Sequence, residues 1–336
     1  MSATPAVSVL LPVRDAEATL GASLRSVARQ SERRFECVVV DDGSRDASLA
    51  LAREQAARDP RFRVVAAPRE GLVAALRAGL AHCHAPRVAR MDADDWMHRE
   101  RLAAQVAALD ADPTLSGVGC HVRCFPRREV GPGLRAYETW LRSIDSPWRV
   151  RQEAFVECPL AHPTWMIRRD VLEAFAYRDA GWPEDYDLLL RLLGDGHRIG
   201  VVPRRLLGWR VHEARLSRTS PVYADARFTD CKAAHLAAGF LAGAASYLLW
   251  GYGATGRTLA RALETHGRRL AAIVEIHPRR IGRTIRGAPV ISRHALGAPR
   301  GIPLVVSVAG AESRALIRAE LARLGWRECV DYVCAA

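Results

Sequence analysis

The chain has 336 residues, of which 49% are hydrophobic and 26% are charged. That length favours two domains, and the composition excludes a disordered or low-complexity protein. The formal net charge of +12 comes from arginine, because Lys232 is the only lysine and 48 of the 49 Lys and Arg residues are therefore arginine. Since these arginines are spread along the chain without a nucleic-acid-binding motif, we expect phosphorylated substrates or an anionic membrane face as partners, and no nucleic acid.

The N-terminus and the cysteines predict a cytoplasmic protein. The first residues have no basic start and their apolar run has only the length of a strand, so no secretory signal is predicted. The eight cysteines are scattered without a Cys-x-x-Cys pair, which favours reduced, mostly buried thiols. Residues 233–250 carry almost no charge. We interpret them as a helix end and a strand that meet at Gly243, and not as a membrane span.

The first hundred residues alternate between strand and helix patterns. Apolar runs of strand length occur at residues 7–13, 35–40, 62–67 and 87–91. Between the second and third runs, Ser44 is predicted to cap a helix that ends at Arg58. Such alternation predicts parallel strands in a layered α/β domain, whose ligands bind beyond the carboxyl ends of the strands.

The rest of the chain extends this pattern. A helix is predicted over 99–109, and a long exposed loop from Phe125 to Leu134, where Pro, Gly and Arg accumulate. Two closing strands are predicted, RIGVVP and LLGWRVH. A second alternating pattern begins near Ser246, which predicts a first domain over residues 1–230 and a second over 231–336.

Three acidic clusters lie beside apolar runs: Asp41-Asp42, Asp92-Ala93-Asp94-Asp95 and Glu184-Asp185. The first two follow predicted parallel strands, so both are expected on the same edge of the sheet. Carboxylate oxygens there suit Mg²⁺ or Mn²⁺ bridging to a diphosphate. The alternatives are helix capping for the aspartates after the strands and, for Asp185, a first-turn carboxylate favoured by the helix dipole. The residues alone leave Asp185 open between that role and a general base.

Taken in order, these motifs resemble those of the family 2 glycosyltransferases, which are inverting enzymes of the GT-A type. The resemblance covers roughly residues 5–220 and rests on VSVLLPVRDAEATL with FECVVVDDGSRD, then MDADD, WPEDYDLLLRL and WRVHEARLS. It implies a GT-A type layered α/β/α domain with a mostly parallel sheet, followed here by a smaller Rossmann-like α/β domain.

The resemblance also implies which residues bind a nucleotide-diphosphate sugar. The nucleoside contacts match the loop after the first strand and the second aspartate of DDGS: Pro12, Val13, Arg14, Asp15 and Asp42. The D-x-D motif, which engages ribose, diphosphate and metal, corresponds to Asp92, Ala93 and Asp94.

Catalytic and metal-binding roles follow from the same resemblance. Asp185 matches the catalytic base, and His212 matches a late histidine that completes the metal site with Asp94. The alternative for His212 is a surface imidazole at the end of a strand. His162 lies in an HPT motif that is frequent in the family.

A second glycine motif, Gly251-x-Gly253-x-x-Gly256, follows a predicted strand, and Glu275 comes 19 positions after Gly256. This spacing is typical of a dinucleotide site that could take NAD(P), but a tight turn alone also requires such glycines. Through IGRTIRGAPVI the region resembles the small Rossmann-like domains of sugar acyltransferases. The hexapeptide repeats of those enzymes are absent from the sequence, so acyl transfer is not implied.

The predicted function is that of a metal-dependent inverting glycosyltransferase. It would move a sugar from a nucleotide-diphosphate sugar, with UDP favoured, to a hydroxyl of a glycan, a lipid-linked or another acceptor in cell-surface polysaccharide synthesis. The alternatives are a catalytically silent nucleotide-sugar sensor and an NAD(P)-dependent oxidoreductase. The net charge predicts peripheral contact with the inner membrane face. No motif specifies the sugar, the acceptor, the linkage or the oligomeric state.

Overall fold

The computed structural model describes residues 4–213 and 215–336 and divides them into two compact units. The first unit comprises residues 1–150, 160–180 and 191–219, and the second comprises 151–159, 181–190 and 220–336. The division predicted from the sequence, 1–230 and 231–336, stays a prediction.

The described residues form fourteen strands. In chain order they are β1 (Val7–Val13), β2 (Phe35–Asp42), β3 (Phe62–Ala67), β4 (Arg87–Arg90), β5 (Trp96–Met97), β6 (Leu115–Phe125), β7 (Met166–Arg168), β8 (Arg198–Arg210), β9 (Ser246–Trp250), β10 (Arg269–Glu275), β11 (Thr284–Ile285), β12 (Ala288–Ser292), β13 (Leu304–Val306) and β14 (Tyr332–Cys334).

Twelve α-helices accompany these strands in the part of the chain that the structure describes. They are α1 (Glu17–Ala28), α2 (Ser48–Arg58), α3 (Leu72–Leu80), α4 (Arg101–Ala111), α5 (Pro132–Arg142), α6 (Pro147–Glu153), α7 (Arg169–Phe175), α8 (Glu184–Gly194), α9 (Leu216–Thr219), α10 (Asp225–Ala238), α11 (Ala254–Thr265) and α12 (Ala311–Arg323).

The first unit is built on a mixed sheet with the strand order β3-β2-β1-β4-β7-β6-β8-β5. Strands β1 to β4 run parallel to one another, as the alternation of strand and helix patterns predicts. The short strand β7 is antiparallel to both of its neighbours, β4 and β6. The fold is therefore a mixed α/β fold in which β3, β2, β1 and β4 form a parallel block on one side of β7, and β6 and β8 pair in parallel on its other side.

Helices cover both faces of this sheet because its strands are apolar on both faces. Val9 and Leu11 of β1 belong to the same buried core as residues of α1, α2 and α4. Leu10 points the other way, and Gly79 of α3 packs so closely on it that any side chain at position 79 would collide. Each fully buried Val or Leu contributes about 1.5–3 kcal/mol to folding, so both faces stabilise the sheet.

The second unit has its own sheet, with the order β11-β12-β10-β9-β13-β14. Apart from the antiparallel β11, its described pairings are all parallel. Two buried clusters hold helices on this sheet, one including Leu259 and Leu263 of α11 and one including Ile317 and Leu321 of α12.

Three local predictions were wrong. Helix α2 begins at Ser48, and Ser44 is not its cap because its Oγ accepts a hydrogen bond from the Asp15 amide at 3.1 Å. The predicted loop Phe125–Leu134 ends early, since Pro132 is the first residue of α5, a position that proline suits because its missing N–H has no helical partner. The two predicted closing strands are one strand, β8, which curves past irregularities in its pairing with β6.

Two other interpretations are confirmed. Residues 233–250 contain the end of α10 and all of β9, and none of the described helices is both long and apolar enough to cross a membrane. Seven of the eight cysteines are buried, with Cys329 partly exposed. Burial raises the pKa of six of these thiols, and it raises that of Cys83 to about 12.

Candidate active site

One edge of the first sheet collects most of the predicted site residues. Strands β1, β2 and β4 are parallel, so their carboxyl ends lie at the same edge. Strand β8 is parallel to β6, and β6 and β4 are each antiparallel to β7, so β8 also ends at that edge. The sheet therefore brings together the segments after four strands: Arg14-Asp15, Asp41-Asp42, Asp92–Asp95 and Val211-His212.

Asp42, at the end of β2, is a buried carboxylate with several donors. Its Oδ1 accepts hydrogen bonds from the amides of Glu70 and Gly71 at 2.9 and 3.1 Å, and its Oδ2 lies 3.1 Å from Arg14 Nη1. These bonds replace the water that a buried charge loses. The neighbouring Asp41 accepts a bond from the Ser44 amide at 3.2 Å through Oδ2, while its buried Oδ1 has no partner among the described residues.

Asp15 fixes the loop that follows β1. Its backbone has a φ of 49°, the left-handed region that aspartate tolerates better than most residues. Its carboxylate accepts bonds from the Arg45 amide at 2.7 Å and from Arg69 Nη2 at 2.6 Å. The bond from the Arg45 amide and the pair with Arg69 hold the pKa of Asp15 below its ordinary value. Pro12 and Val13 are buried in β1 just before this loop.

The segment after β4 carries the D-x-D aspartates. Asp92, Asp94 and Asp95 each offer one carboxylate oxygen, and these three atoms lie within 4.8 Å of one another. Asp92 Oδ1 accepts a bond from Arg90 Nη2 at 2.7 Å, and Asp95 Oδ1 accepts one from the Arg210 amide at 2.8 Å. Asp95 Oδ2 is buried and has no partner among the described residues.

The three carboxyl groups differ in their electrostatics. Burial, the strongest influence, acts to raise the pKa of Asp92, but the positive charge of Arg90 and, after it, two further basic residues outweigh it and lower that pKa. The pKa of Asp95 is raised well above its ordinary value, first by burial and then by the negative charges of Asp92 and Asp94. Neighbouring carboxylates of this kind favour a bound cation, which would stabilise all of their charges.

His212 follows the end of β8 and joins this cluster. Its Nε2 lies 2.8 Å from Asp94 Oδ2, although the two residues are 118 positions apart in the sequence. The carboxylates of Asp92, Asp94 and Asp95 with the imidazole of His212 beside Asp94 are a donor set that suits Mn²⁺ or Mg²⁺, with the carboxylate oxygens as the hard ligands. His212 is thus placed beside the D-x-D segment, and the residues present fit a divalent cation.

His162 lies deeper in the first unit. Its ring is buried, its Nε2 is 2.9 Å from the hydroxyl of Tyr177, and its centroid is 5.0 Å from that of Trp165. The electrostatic effect of His162 still reaches Asp92. The HPT histidine therefore packs against Tyr177 and Trp165, and a direct role for it stays a prediction.

Asp185 and Glu184 begin α8 and belong to the second unit. The Oδ1 of Asp185 accepts a bond from the Tyr186 amide at 2.7 Å, which is what a first-turn carboxylate does, and the residue is only partly buried. Glu184 is buried, and its Oε2 accepts a bond from the hydroxyl of Tyr223 at 2.6 Å. The assignment of Asp185 as a base stays a prediction.

The glycine motif forms the turn between β9 and α11 in the second unit. Gly251 has a φ of 94°, and a Cβ there would lie 2.9 Å from Ser307 O. A Cβ on Gly256 would collide with Gly251 O, whereas a Cβ on Gly253 would meet nothing within 4 Å. Two of the three glycines are therefore required by packing, and the space at the third is open to a ligand.

Two further residues bear on this turn. Ser307 follows β13, which is the parallel neighbour of β9, and its buried Oγ has no partner among the described residues. Glu275 ends β10, and its Oε1 accepts a bond from the Ile276 amide at 2.9 Å while its Oε2 lies 3.1 Å from Arg280 Nη1. Glu275, the acidic residue of the motif, is thus already paired with an arginine side chain.

The sequence interpretation missed the arginines that hold the aspartates. Arg90 is buried in β4, and Arg210 donates from its side chain to Asp94 O at 2.6 Å in addition to its amide bond to Asp95. A signal was present for Arg90, because an arginine in a short buried strand requires an anionic or carbonyl partner nearby. For Arg210 no comparable signal existed, since its partners are more than 100 positions away in the chain.

Comparisons with known proteins agree with this arrangement. Residues 8–175 match the sequence profile of glycosyl transferase family 2. The chain is 30% identical to EpsE of Bacillus subtilis over 204 residues, which cover 59% of this chain and 70% of EpsE. It is 32% identical to the amylovoran biosynthesis glycosyltransferase AmsE of Erwinia amylovora over 186 residues, which cover 55% of this chain and 67% of AmsE.

Solved structures show the same fold. TarS of S. aureus (residues 1–349, in complex with UDP-GlcNAc) matches with a TM-score of 0.57 at 18% identity, over 77% of this chain and 72% of that one. The mannosyltransferase PcManGT of Pyrobaculum calidifontis, in complex with GDP-Man and Mn²⁺, matches with a TM-score of 0.52 at 21% identity, over 78% and 73%. The GT-A fold expected from the sequence is confirmed, and the profile match over half of the chain identifies the protein as a member of glycosyltransferase family 2, with relatives in polysaccharide biosynthesis.

Proposed function

We propose that this protein is a metal-dependent, inverting glycosyltransferase that transfers a sugar from a nucleotide-diphosphate sugar to a hydroxyl group. The observation that supports this most is the cluster of Asp92, Asp94 and Asp95, which each offer one oxygen within 4.8 Å of the others, with His212 2.8 Å from Asp94. The two solved structures described above carry UDP-GlcNAc and GDP-Man, so a nucleotide sugar is the donor class. We favour UDP as the nucleotide.

In this proposal Asp94 and His212 hold Mg²⁺ or Mn²⁺. When bound, the cation offsets the negative charge of the departing diphosphate. Asp92 and Ala93 line the donor site beside it, and Arg90 keeps Asp92 ionised by lowering its pKa. Mn²⁺ is present in the PcManGT complex.

The nucleoside would lie against the ends of β1 and β2. Arg14 and Asp42, 3.1 Å apart, offer a donor and an acceptor side by side, and Pro12, Val13 and Asp15 shape the loop next to them. The unpaired Oδ1 of Asp41 supplies a further acceptor. A polar base or ribose would supply the hydrogen-bond partners that such buried groups otherwise lack.

Asp185 is proposed as the general base. It would take the proton from the acceptor hydroxyl as the oxygen attacks the anomeric carbon on the face opposite the nucleotide. The bond from that carbon to the diphosphate then breaks, the configuration inverts, and the proton remains on Asp185. A positioned base of this kind contributes about 10²–10⁴-fold to the rate.

A panel of UDP-, GDP- and dTDP-sugars tests the proposal, with release of nucleoside diphosphate measured with Mn²⁺, with Mg²⁺ and with EDTA. We expect release from one donor class that depends on the cation and increases when an acceptor is added. Donor binding without release under any condition would support the alternative of a silent nucleotide-sugar sensor. The predicted location in the cytoplasm and at the inner membrane face stays a prediction.

We further propose that the second unit is a Rossmann-like domain whose glycine turn binds the phosphate of a nucleotide. The open space at Gly253, the N-terminus of α11 and the unpartnered Oγ of Ser307 support it. Binding of UDP, UDP-sugars and NAD(P)H to wild type and to Gly253→Ala, measured by calorimetry in EDTA, tests this. We expect Gly253→Ala to lose one of the binding events that wild type shows. Identical isotherms for the two proteins would contradict the proposal.

A further inference from the structure

Two neighbouring cavities lie in the first unit outside the residues assigned so far. The first, called the arginine cavity here, has a volume of about 310 Å³ and is lined by Arg123, Arg127, Arg135, Arg142 and Arg205 together with Glu138 and Thr139. Arg123 and Arg205 come from the adjacent strands β6 and β8, and Arg135 and Arg142 come from α5. Arginines from two separate parts of the chain thus place their positive charge around the arginine cavity.

The charge of the arginine cavity is not balanced by its own lining. Glu138 is its one acidic residue, and its Oε2 lies 2.6 Å from Arg127 Nη1. Arg123, Arg142 and Arg205 form no side-chain hydrogen bond or ion pair with the described residues. Guanidinium groups that converge without carboxylates repel one another and favour an anion, above all a phosphate, which they bind with paired hydrogen bonds.

The second cavity, called the aromatic cavity here, has a volume of about 340 Å³ and shares Arg123 and Arg205 with the first. Its other walls include Trp96, Phe125 and Leu207. Trp96 is 47% exposed, which is unusual for so large an apolar residue. A flat aromatic wall beside a cationic one suits a ligand that has a ring or apolar part next to a phosphate.

The aromatic cavity begins where the D-x-D segment ends. Trp96 is the residue after Asp95, and the guanidinium of Arg210 lies 4.6 Å from the centre of the Phe125 ring. The same Arg210 donates to Asp94 O at 2.6 Å. The order along the surface is therefore aspartates, aromatic cavity, arginine cavity.

We propose that these two cavities form the acceptor site, and that the acceptor carries a phosphate group. This rests on the proposed transferase function. The acceptor sugar would lie against Trp96 and Phe125 with its hydroxyl towards the aspartates, and its phosphate would be held by Arg123, Arg142 and Arg205. The phosphate can belong to a lipid-linked sugar or to a phosphorylated glycan, and the experiment separates both from a membrane headgroup.

The test uses the double variant Arg142→Gln, Arg205→Gln, in which both altered side chains are exposed, so folding is retained. The matched control is Arg128→Gln, which removes an arginine that is 85% exposed and lies outside the cavity. Binding of inorganic pyrophosphate is measured by calorimetry in EDTA, so that no cation at the aspartates takes part. We expect the Kd to rise at least tenfold in the double variant and less than twofold in the control.

Transfer kinetics form the second arm. An alkyl glycosyl diphosphate and the same alkyl glycoside without phosphate are compared as acceptors, together with hydrolysis of the donor by water. The double variant is expected to raise the KM for the diphosphate acceptor at least tenfold and to leave donor hydrolysis and the KM for the plain glycoside within twofold of wild type. If no donor is turned over by any form, the proposed transferase function fails while the pyrophosphate binding still reports on the cavity.

Binding to lipid vesicles tests the remaining source of phosphate, which is a membrane headgroup. Co-sedimentation with phosphatidylglycerol and with phosphatidylcholine vesicles is measured for the same three proteins. Equal pyrophosphate binding by the double variant and the control would overturn the proposal. The proposal would also be overturned if the double variant lost vesicle binding while its pyrophosphate binding stayed unchanged, because the arginines would then bind the headgroups of a membrane surface.

Discussion

The two units present different chemistry at equivalent edges of their sheets. In the first unit the carboxyl ends of the parallel strands carry aspartates, among them Asp42, Asp92 and Asp94. In the second unit the corresponding edge carries a glycine turn and Ser307, and Glu275 there is paired with Arg280 at 3.1 Å. Parallel strands thus define where a ligand binds, and the residues after them define its charge.

The two edges differ because the groups of each one lack a partner of a different charge. The acidic edge contains clustered carboxylates, one of them with a raised pKa, and a bound cation would stabilise it. The glycine edge contains the N-terminus of α11 and a buried hydroxyl with no partner among the described residues, and a bound anion would stabilise it. We therefore expect the first edge to bind a metal with its diphosphate and the second to bind phosphate without a metal.

The largest effect is expected at the acidic edge. Asp94→Asn removes a charge from the cation site and the acceptor of the His212 bond, and we expect turnover to fall by about 10³-fold, as for loss of a charge that stabilises a leaving group. Steady-state release of nucleoside diphosphate measures this. Asp195→Asn, which alters a carboxylate that is 67% exposed, is the control and is expected to keep wild-type activity. Activity of Asp94→Asn within tenfold of wild type would contradict the assignment.

Asp185→Asn comes next. Loss of a general base is expected to lower transfer by about 10²–10⁴-fold while the Kd for the donor stays within twofold, because the amide is isosteric. Single-turnover transfer and calorimetry with the donor measure the two quantities. Full turnover by this variant would show that Asp185 is only a first-turn carboxylate of α8, and the exposed Asp179 changed to Asn provides the control.

Two glycines of the second edge should respond in opposite ways. Gly256→Ala places a Cβ against Gly251 O, so we expect a loss of about 2–4 kcal/mol in the free energy of unfolding, as for overpacking of backbone. Gly253→Ala meets nothing within 4 Å and is expected to change stability by less than about 0.5 kcal/mol. Urea unfolding compares them, and equal losses would show that the space at Gly253 is not open.

Two basic side chains, one in each unit, have different partners. Arg90 of the first unit pairs with Asp92, whereas among the described residues Lys232 of the second donates to the carbonyls of Val156 and Ala335, at 3.1 and 2.7 Å. Burial lowers the pKa of Lys232 from 10.5 to about 8, although the negative charge of Glu157 opposes this. Burying this cation therefore costs stability below pH 8.

That cost should disappear at alkaline pH. Between pH 8 and 10.5 the lysine is protonated in the unfolded chain and neutral in the folded one. The unfolding free energy of wild type relative to Lys232→Met should thus rise by up to about 3 kcal/mol across this window. Urea unfolding of both proteins at each pH removes the effect of other titrating groups by subtraction. A constant difference would mean that Lys232 keeps its ordinary pKa.

Much of the first unit was predictable because local signals agreed. The strand β1 coincides with the predicted run 7–13, and β3 with the run 62–67, since each is a mostly apolar run of strand length. The clustering of Asp42 and Asp92 at one edge also followed, because it needs only parallel pairing. The prediction of Ser44 as a helix cap was wrong because its hydroxyl is bound by the amide of Asp15, a contact across 29 positions.

The rest depended on contacts that no local pattern encodes. The pairing of Asp94 with His212 spans 118 positions, and the resemblance to the family, not the spacing, suggested it. The first residues of α5 were assigned to a loop because Pro132 and Gly133 begin the helix. The arginines of α5 form a cavity only together with Arg123 and Arg205, which β6 and β8 bring beside them. Charge convergence of this kind is a property of the tertiary structure.

The dependence of nucleotide binding on metal tests the central claim most directly. UDP and GDP are titrated by calorimetry into wild type and Asp94→Asn, each with Mn²⁺ and with EDTA. For wild type we predict that Mn²⁺ strengthens binding of one nucleotide at least tenfold, and for Asp94→Asn less than twofold, because the acidic edge holds the cation and the cation holds the diphosphate. An equal strengthening in both proteins, or none in wild type, would contradict the account.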